Sequence, residues 1–318
     1  MMTRRVLITD DCDSHLITGL TLRGYVCDFR PAITLSETYE IIGNYTGLII
    51  NSKITVDQVF LDRAVLLEFI GRLGSGMEIV DRVYASKRGV RVLSSPEGNR
   101  NAVGEQALGM LLSFSNHLCR ADREVRLGVW EREKNRGWEL WGKTIGIVGF
   151  GHTGSSFATK LSGFGMRVLV YDKYLGSGYA HTMPWVEEVK SIDEIQRNAD
   201  IVSLHLPLTS ETRWLVDINF IRACKPGWVL INTSRGTCVK TEDLMEGLRS
   251  GQVLGACLDV FENEKVCSFT SEEVKIYGEL YKMEQVVLSP HIAGWTIESK
   301  RKMADVLLEK IDNLFINN

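Results

Sequence analysis

The chain has 318 residues, of which 44% are hydrophobic and 24% charged, and its formal net charge is −3. These values are ordinary for a globular protein of about two domains. The weak charge argues against a nucleic-acid or lipid partner, and no apolar run approaches the roughly 20 residues that span a bilayer. The first residues, MMTRRVLITDD, predict a strand and not a signal peptide.

Seven cysteines are scattered along the chain without a C-x-x-C motif or a Cys/His cluster. This distribution is typical of reduced thiols in the cytoplasm. We therefore expect a cytoplasmic protein that has no metal site.

Alternating strands and helices predict that the first hundred residues form a doubly wound parallel sheet. The predicted strands are Arg5–Thr9, Tyr25–Phe29, Gly47–Ile50, Glu68–Leu73 and Val90–Ser94. The predicted helices are Ser14–Arg23, Ser36–Ile42, Val56–Ala64 and Met77–Lys87.

The segment Gly74-Ser75-Gly76 follows a predicted strand and is expected to open the helix at Met77. Ligands of open α/β sheets bind at such carboxyl ends of strands, and two glycines expose N–H groups suited to a carboxylate. A plain tight turn is the alternative. Asn51-Ser52-Lys53 ends another strand, where Lys53 either meets an anionic substrate or is solvated.

Pro96-Glu97-Gly98-Asn99 interrupts the pattern, and the helix predicted at Asn101–Leu118 marks the crossing into a second domain. Residues 121–140 are charged and rich in tryptophan. They predict an arm or surface helix within a subunit interface, or alternatively a solvated helix with two packed tryptophans.

Residues 143–172 predict a strand, a glycine-rich turn, a helix, a second strand and a terminal carboxylate. In this G-x-G-x-x-G motif Gly149 allows the tight turn, Gly151 lets backbone approach a pyrophosphate, and Gly154 lets the helix pack on the strand. The helix N-terminus directs N–H groups at phosphates. Asp172, 18 residues after Gly154, suits a ribose 2′-OH and repels a 2′-phosphate. We therefore predict NAD binding, with a coincidental glycine turn as the alternative.

Four later strands are predicted to end in polar or charged residues, namely His205, Ser234 with Arg235, Asp259 and His291. The carboxyl ends of parallel strands share one edge, so these residues are expected to face a cofactor crevice. The predicted strands are Ile201–Leu204, Trp228–Asn232, Leu254–Leu258 and Val286–Ser289. The predicted helices are Ile192–Asn198, Thr212–Lys225 and Thr241–Arg249, the last capped by Thr241.

Three of the side chains near these ends are candidates for chemistry. The guanidinium of Arg235 offers a fork for a carboxylate, or else pairs with an acid of its own domain. His291 is the best acid/base candidate of six histidines, since free imidazole titrates near neutrality, although most lone histidines are structural. Glu264 is able to orient His291, and Glu262 is an equal rival by sequence.

Five motifs occur in order: GKTIGIVGFGHTG…VYD, HLPLT, INTSRG, LDVFENE and SPHIAGWT. In these motifs, and in the upstream segment FIGRLGSGMEIVD, the chain closely resembles the D-isomer-specific 2-hydroxyacid dehydrogenases. The resemblance implies an NAD-dependent oxidoreductase of class α/β with two doubly wound parallel-sheet domains. A Rossmann NAD-binding domain, residues 99–292, would be inserted into a flavodoxin-like substrate domain, residues 1–98 and 293–318. The last helix, about Thr296 to Phe315, would pack on that substrate domain.

The resemblance also implies roles for individual residues. The catalytic set would be Arg235, Glu264 and His291. Substrate binding would fall to Ser52, Lys53, Gly74, Ser75 and Gly76. The cofactor contacts would be Gly149, Gly151, His152, Thr153, Gly154, Asp172, His205, Pro207, Thr212, Thr233, Ser234, Asp259 and Gly294. A homodimer is expected through the NAD-binding domain and the 121–140 arm.

Within this family the chain most resembles the short-form D-3-phosphoglycerate dehydrogenases of serine biosynthesis, which implies that the regulatory domain of longer forms is absent. Three features depart from them: Asn51 stands where several carry arginine, Lys265 replaces a proline, and the loop 266–285 is long and charged. The expected substrate pair is 3-phosphoglycerate and 3-phosphohydroxypyruvate. The alternatives are hydroxypyruvate or glyoxylate, a bulkier 2-keto acid, a non-enzymatic NAD(H)-sensing scaffold of the corepressor type, and a cofactor-binding protein without turnover.

Overall fold

The computed structural model describes residues 4–314 and divides the chain into two units. One unit comprises the residues up to Arg100 and those from Trp295 onward, and the other comprises Asn101–Gly294. The predicted boundaries at 98/99 and 292/293 lie two residues before these positions. The predicted helix end at Phe315 lies outside the described residues.

The first unit contains a five-stranded parallel sheet. Its strands are β1 (Arg5–Ile8), β2 (Val26–Phe29), β3 (Gly47–Ile50), β4 (Phe69–Arg72) and β5 (Arg91–Ser94). Helices α1 (Ser14–Leu22), α2 (Leu35–Ile41), α3 (Gln58–Arg63) and α4 (Arg82–Lys87) connect them. The strand order β2-β1-β3-β4-β5 is that of a flavodoxin-like doubly wound sheet.

The central strand β3 shows how this sheet acquires a core on each face. Its four residues are all buried, as expected for a parallel strand that is covered on both sides. Leu48 packs in one cluster with Phe60 and Ile70, whereas Ile49 packs in the other with Leu16. Successive side chains of a strand point to opposite faces, so this apolar run supplies both cores.

The second unit is built on a seven-stranded parallel sheet. Its strands are β6 (Thr144–Val148), β7 (Arg167–Tyr171), β8 (Val186–Glu188), β9 (Ile201–Leu204), β10 (Trp228–Asn232), β11 (Val253–Leu258) and β12 (Val286–Leu288). Its helices are α5 (Pro96–Ser115), which begins before the boundary, α6 (Leu118–Arg126), α7 (His152–Lys160), α8 (Ile192–Asn198), α9 (Ile218–Ala223), α10 (Thr241–Ser250) and α11 (Ser271–Leu280). The order β12-β11-β10-β9-β6-β7-β8 is that of a Rossmann sheet with one added strand.

The last helix, α12 (Ile297–Asn313), returns to the first unit. Thr296 caps it, and its side chain and the hydroxyl of Ser299 exchange hydrogen bonds with backbone N–H groups. Leu308 and neighbouring residues join the core cluster of α1, and Arg23 bridges to Asp312 at 2.5 Å. The core on one face of the first sheet is therefore completed by residues from the other end of the chain.

Two predicted helices begin too early. The one expected at Met77 starts at Arg82, because Val80 pairs with Val56 in an isolated bridge and Asp81 then caps the helix. Gly74–Gly76 therefore does not open a helix directly. The helix expected over 212–225 is confined to α9, because Trp214 has a φ of 53° and Val216 pairs with Val239.

Four further details differ from the sequence prediction. Pro96-Glu97-Gly98-Asn99 does not interrupt the pattern but forms the start of α5, the helix predicted at Asn101–Leu118, because the first turn needs no N–H from Pro96. Lys240, not Thr241, occupies the N-cap of α10. Strand β8 was not predicted, and the 266–285 loop contains α11, whose capping box joins Thr270 and Glu273.

Candidate active site

The glycine turn between β6 and α7 brings backbone segments closer than any side chain would allow. Gly149 has a φ of 91°, and a Cβ there would lie 2.3 Å from the carbonyl oxygen of His205. A Cβ on Gly154 would lie 2.0 Å from Gly149 O. Around Gly151, by contrast, a Cβ would meet no atom within 4 Å. The turn is thus packed on one side and open on the other.

The open side of this turn fits a dinucleotide. Gly151 is the N-cap of α7, and a glycine supplies no side-chain acceptor to the first-turn N–H groups around His152 and Thr153. Such a helix end suits an anion, because its N–H groups and positive dipole end face the same way. The residues present therefore match the pyrophosphate of the predicted cofactor.

Asp172 follows β7 and is held beside the turn by three backbone N–H groups. Its Oδ2 accepts from Phe150 N at 2.8 Å, and its Oδ1 accepts from Tyr174 N at 2.9 Å and Leu175 N at 3.2 Å. A carboxylate has about four lone-pair positions, so acceptor capacity remains for ribose hydroxyls.

Two buried polar atoms at the ends of β9 and β10 have no hydrogen-bond partner among the described residues: His205 Nδ1 and Thr233 Oγ1. The other ring nitrogen of His205 lies 2.9 Å from Ser203 Oγ. Burial lowers the pKa of His205 to about 3, so the ring is neutral. Buried polar atoms normally find a partner, and these two suit a polar ligand at this edge.

The loop after β9 is shaped by Thr212. Its Oγ1 donates to Pro207 O at 2.7 Å and accepts from Thr209 N at 2.8 Å. These contacts hold the loop at the same sheet edge as His205. The predicted cofactor contacts at Pro207 and Thr212 thus lie in one closed turn.

His291 and Glu264 form the central pair of the site. His291 Nδ1 lies 2.7 Å from Glu264 Oε2, and the two side chains are 49% and 38% exposed, so both are open to a ligand. Burial opposes ionisation of Glu264, but His291, the N–H of Phe261 and the charge of Arg235 together hold the pKa of this carboxyl below its ordinary value. An ionised carboxylate only accepts, so Nδ1 carries the hydrogen and Nε2 has a free lone pair.

The turn that carries His291 is fixed by the fully buried Asp259. Asp259 Oδ1 accepts from Ser289 Oγ at 2.5 Å and Ile292 N at 2.9 Å, and Oδ2 accepts from Ala293 N at 2.8 Å. The backbone of His291 has a φ of 55°, and its N–H donates to Asp259 O at 2.8 Å. The sequence did not reveal this role, and the cofactor contact predicted for Asp259 stays a prediction.

Glu262, the rival of Glu264, is engaged elsewhere. Its Oε1 accepts from Trp214 Nε1 at 2.6 Å, and its Oε2 accepts from Thr241 N at 2.7 Å. Glu262 is therefore engaged away from His291, whereas Glu264, the carboxylate that the resemblance implied, contacts it.

Arg235 lies on a segment that touches the Glu264 loop. A Cβ on Gly236 would lie 1.8 Å from Phe261 O, so the two backbones are in direct contact. Arg235 Nη1 donates to Ser234 O at 2.7 Å, and Asn232 Nδ2 donates to Arg235 O at 2.9 Å. The second unit therefore gathers all three predicted catalytic residues. Gly236, which follows Arg235, is the residue in the sequence that could have indicated this close packing, because only a glycine fits there.

The substrate-binding residues predicted in the first unit show a different arrangement. Lys53 Nζ donates to the carbonyl oxygens of Thr9 and Pro31 at 2.5 and 2.8 Å. Gly74 N donates to Ser95 Oγ at 3.1 Å. Arg72 was not predicted from the sequence. A Cβ built on Gly74 would lie only 2.5 Å from the Arg72 guanidinium. A cation therefore lies against the Gly74–Gly76 segment.

Two kinds of feature are absent from the described part of the chain. Residues 4–314 contain no group of three or more His, Cys, Asp or Glu side chains arranged to hold a metal ion. Within the same range, no helix has the length and apolar character needed to cross a membrane.

Comparison with known proteins places the chain in a family. A family model described as "D-isomer specific 2-hydroxyacid dehydrogenase, NAD binding domain" matches residues 108–293. Hydroxypyruvate reductase of Thermotoga maritima is 34% identical over 311 residues, which cover 98% of each chain. D-3-phosphoglycerate dehydrogenase of Mycobacterium leprae is 34% identical over 265 residues, or 83% of this chain and 48% of that relative. The chain thus spans about half the length of this and several other dehydrogenases of the same name.

Solved structures agree with the fold. The TT0316 protein from Thermus thermophilus matches with a TM-score of 0.85 and 30% identity, covering 99% of this chain and 97% of the other. The predicted fold class is confirmed by this match and by the two parallel sheets. The prediction of NAD is confirmed because the matching family model is that of an NAD-binding domain. The chain belongs to the D-isomer-specific 2-hydroxyacid dehydrogenase family.

Proposed function

We propose that the chain interconverts a D-2-hydroxy acid and its 2-keto acid, with NAD as the redox cofactor. The observation that carries this proposal is the 2.7 Å contact between His291 Nδ1 and Glu264 Oε2, in the same unit as Arg235 and the glycine turn. A proton carrier, an anion binder and a dinucleotide-binding turn are the parts that this reaction requires.

The chain's own residues manage the proton and the charge. Bound NAD supplies the hydride acceptor for C2 of the hydroxy acid, and NADH the donor for the reverse direction. His291 takes the hydroxyl proton on Nε2 during oxidation and returns it during reduction, while Glu264 stabilises the imidazolium. Arg235 binds the carboxylate through its guanidinium and stabilises charge on the C2 oxygen. Ser52 and Gly74–Gly76 stay proposed substrate-binding residues.

3-Phosphoglycerate is the first candidate substrate, and this assignment would place the protein in serine biosynthesis. Its support is the similarity to relatives named D-3-phosphoglycerate dehydrogenase, at 34% and 30% identity. Arg72 beside Gly74 adds a cation to the segment proposed to bind the substrate.

Hydroxypyruvate or glyoxylate is the second candidate, and two observations favour it. Lys53, which the sequence placed either against an anionic substrate or in solvent, donates to the carbonyl oxygens of Thr9 and Pro31. The relative that matches over 98% of both chains is named hydroxypyruvate reductase. All of these substrates would undergo the same proton transfer at His291, so that chemistry does not distinguish between them. The two observations above do not depend on it.

A panel of 2-keto acids tests the proposal. NADH oxidation is measured with 3-phosphohydroxypyruvate, hydroxypyruvate, glyoxylate and a bulkier 2-keto acid. His291→Ala or Arg235→Ala should lower kcat/KM by at least about 100-fold while NADH binding survives. His181→Ala is the matched control, since this exposed histidine contacts Gly178 O at 2.7 Å, outside the site. If the protein binds NADH but reduces none of these acids, the proposal is wrong. The function would then be that of an NAD(H)-sensing scaffold or of a cofactor-binding protein that has no turnover.

We also propose a cytoplasmic homodimer that uses the second unit. Helix α6 has no buried residue, and it and the next segment expose apolar side chains by 40% to 76%: Leu118, Val125, Leu127, Val129 and Trp130. Several exposed apolar side chains within one short segment favour an interaction site there. Sedimentation equilibrium of the wild type and of Trp130→Ser tests the proposal, and a monomeric wild type would contradict it.

A further inference from the structure

Trp214 occupies a backbone conformation that a bulky residue avoids. Its φ is 53°, in the left-handed region, where Cβ crowds the backbone of an L-residue. Its side chain is 47% exposed, so burial of the ring alone does not hold it there. Strain of this kind persists only where the surrounding contacts determine the conformation.

Two hydrogen bonds hold Trp214, and each reaches a different segment of the site. Its backbone N–H donates to Thr237 O at 2.8 Å, two residues after Arg235. Its indole N–H donates to Glu262 Oε1 at 2.6 Å, two residues before Glu264. The strained residue thus connects the Arg235 segment with the Glu264 segment.

Glu262 completes this connection. Its second oxygen accepts from Thr241 N at 2.7 Å, so both carboxylate oxygens are engaged. The backbones of the two segments also touch, since Gly236 leaves no room for a Cβ against Phe261 O. A hydrogen bond to a charged acceptor is stronger than a neutral one, so the Trp214 indole is a substantial part of this contact.

We propose that Trp214 is a positioning residue: it fixes the 261–264 segment against the Arg235 segment and so aligns Glu264 with His291 Nδ1. The inference rests on the proposed function of Glu264 and His291. It concerns a residue that touches neither of them and acts through Glu262. Its consequence is that loss of the indole N–H lowers turnover without loss of cofactor binding.

Two substitutions separate positioning from simple stabilisation. Trp214→Phe removes the N–H and keeps an aromatic ring. Trp214→Gly removes the ring and also the strain, because glycine adopts positive φ readily. The matched control is Trp141→Phe, the same exchange as Trp214→Phe at an indole that is 75% exposed.

In steady-state reduction of the best 2-keto acid, both Trp214 variants should lose about fivefold to tenfold in kcat, as expected when a hydrogen bond to a charged group is lost in part. KM for NADH should stay the same, and the melting temperature of Trp214→Gly should be no lower than that of Trp214→Phe. If kcat of Trp214→Phe equals that of Trp141→Phe, the inference is wrong.

A double-mutant cycle tests the route through Glu262. Glu262→Gln retains one carbonyl acceptor for two donors. If Trp214 acts through this side chain, Trp214→Phe combined with Glu262→Gln should cost little more than the more severe single change. Additive losses in kcat would show that Trp214 acts by another route.

A readout that does not need turnover separates this inference from the proposed function. Long-range ¹H–¹⁵N spectra of protein labelled at histidine report which imidazole nitrogen carries the proton, and His291→Gln identifies the signal. At alkaline pH the wild type should show the Nδ1–H form that Glu264 imposes. Trp214→Phe and Trp214→Gly should shift His291 toward a mixture. Absence of turnover in the wild type contradicts the function, whereas an unchanged tautomer in both variants contradicts the inference.

Discussion

His291 Nδ1 lies 2.7 Å from Glu264 Oε2, although 27 residues separate the two in sequence. The pair requires two independent devices. Asp259 holds the turn that carries His291, and Glu262 holds the loop that carries Glu264. Both members of this pair are therefore positioned by an acid that is not itself part of the proton transfer.

Glu264→Gln should lower the rate of keto acid reduction across the neutral pH range. The pKa of Glu264 is lowered, so its carboxylate is ionised throughout the neutral range and stabilises protonated His291. Reduction needs the protonated imidazole. Without the charge the imidazolium loses the carboxylate that stabilises it at Nδ1, so kcat for reduction falls about tenfold to 100-fold.

The measurement is a pH profile of kcat/KM for keto acid reduction in the wild type and in Glu264→Gln. Glu272→Gln is the control, since this carboxylate lies in the first turn of α11. A kcat/KM in Glu264→Gln equal to that of the wild type across the profile would show that the carboxylate does not stabilise the imidazolium.

Gly236→Ala should reduce activity through backbone displacement. The added methyl would lie 1.8 Å from Phe261 O, so the segment that carries Glu264 must move. Overpacking of this kind costs about 1–3 kcal/mol, and a displaced Glu264 should lower kcat about tenfold or more.

Gly278→Ala is the matched control, because a Cβ at that helical position meets no atom within 4 Å. It should leave kcat unchanged and stabilise the fold by about 0.5–1 kcal/mol. Thermal unfolding and steady-state kinetics of both variants test these values. Full activity in Gly236→Ala would contradict the contact.

Asp172 should matter for both cofactor choice and local stability. Asp172→Asn removes the charge that repels a 2′-phosphate, so the preference for NADH over NADPH should narrow. Asp172→Ala also leaves the N–H groups of Phe150, Tyr174 and Leu175 without their acceptor. The free energy of unfolding should therefore fall by about 1 kcal/mol. Fluorescence titration with each cofactor and thermal unfolding give the two quantities. An unchanged cofactor preference in both variants would rule out Asp172 as the selecting residue.

His205 should make folding stability depend on pH. Burial lowers the pKa of His205 from 6.5 to about 3. Between these two pH values the unfolded chain is protonated at His205 and the folded chain is not. Stability from this residue is therefore complete above about pH 6.5 and declines as the pH falls, by at most about 1.4 kcal/mol per pH unit.

Urea unfolding of the wild type and of His205→Asn between pH 7 and about pH 5 tests the sign. The free energy of unfolding should fall less steeply with acidification in the variant, whatever its absolute stability. Parallel slopes would show that His205 is accessible to protons in the folded state.

Local patterns in the sequence predicted the parts of the fold that depend on local chemistry. The buried run at Gly47–Ile50 and the glycine turn at Gly149 were identified because their residues are adjacent in sequence. The helix start at Met77 was wrong because Val80 pairs with a distant residue, Val56, which no local pattern reveals.

The sequence predicted which residues form the candidate site, but not the hydrogen bonds that connect them. Polar residues at the ends of β9 to β12 indicated where chemistry would lie. The resemblance implied Glu264, but the contacts that engage Glu262 elsewhere come from Trp214 and Thr241, which lie 48 and 21 residues from it. Contacts at such separations are set by tertiary packing, so a single sequence does not display them.

The bridge between Arg23 and Asp312 joins residues 289 positions apart and closes the first unit. During synthesis the ribosome makes all of Asn101–Gly294 before it reaches α12. The inserted domain is therefore free to fold while its host still exposes the apolar surface of α1 that Leu307 and Leu308 will cover. A chain that ended before α12 would therefore combine a folded nucleotide-binding domain with a first unit whose apolar surface is still exposed. Such exposed surface promotes aggregation, which chaperones counteract.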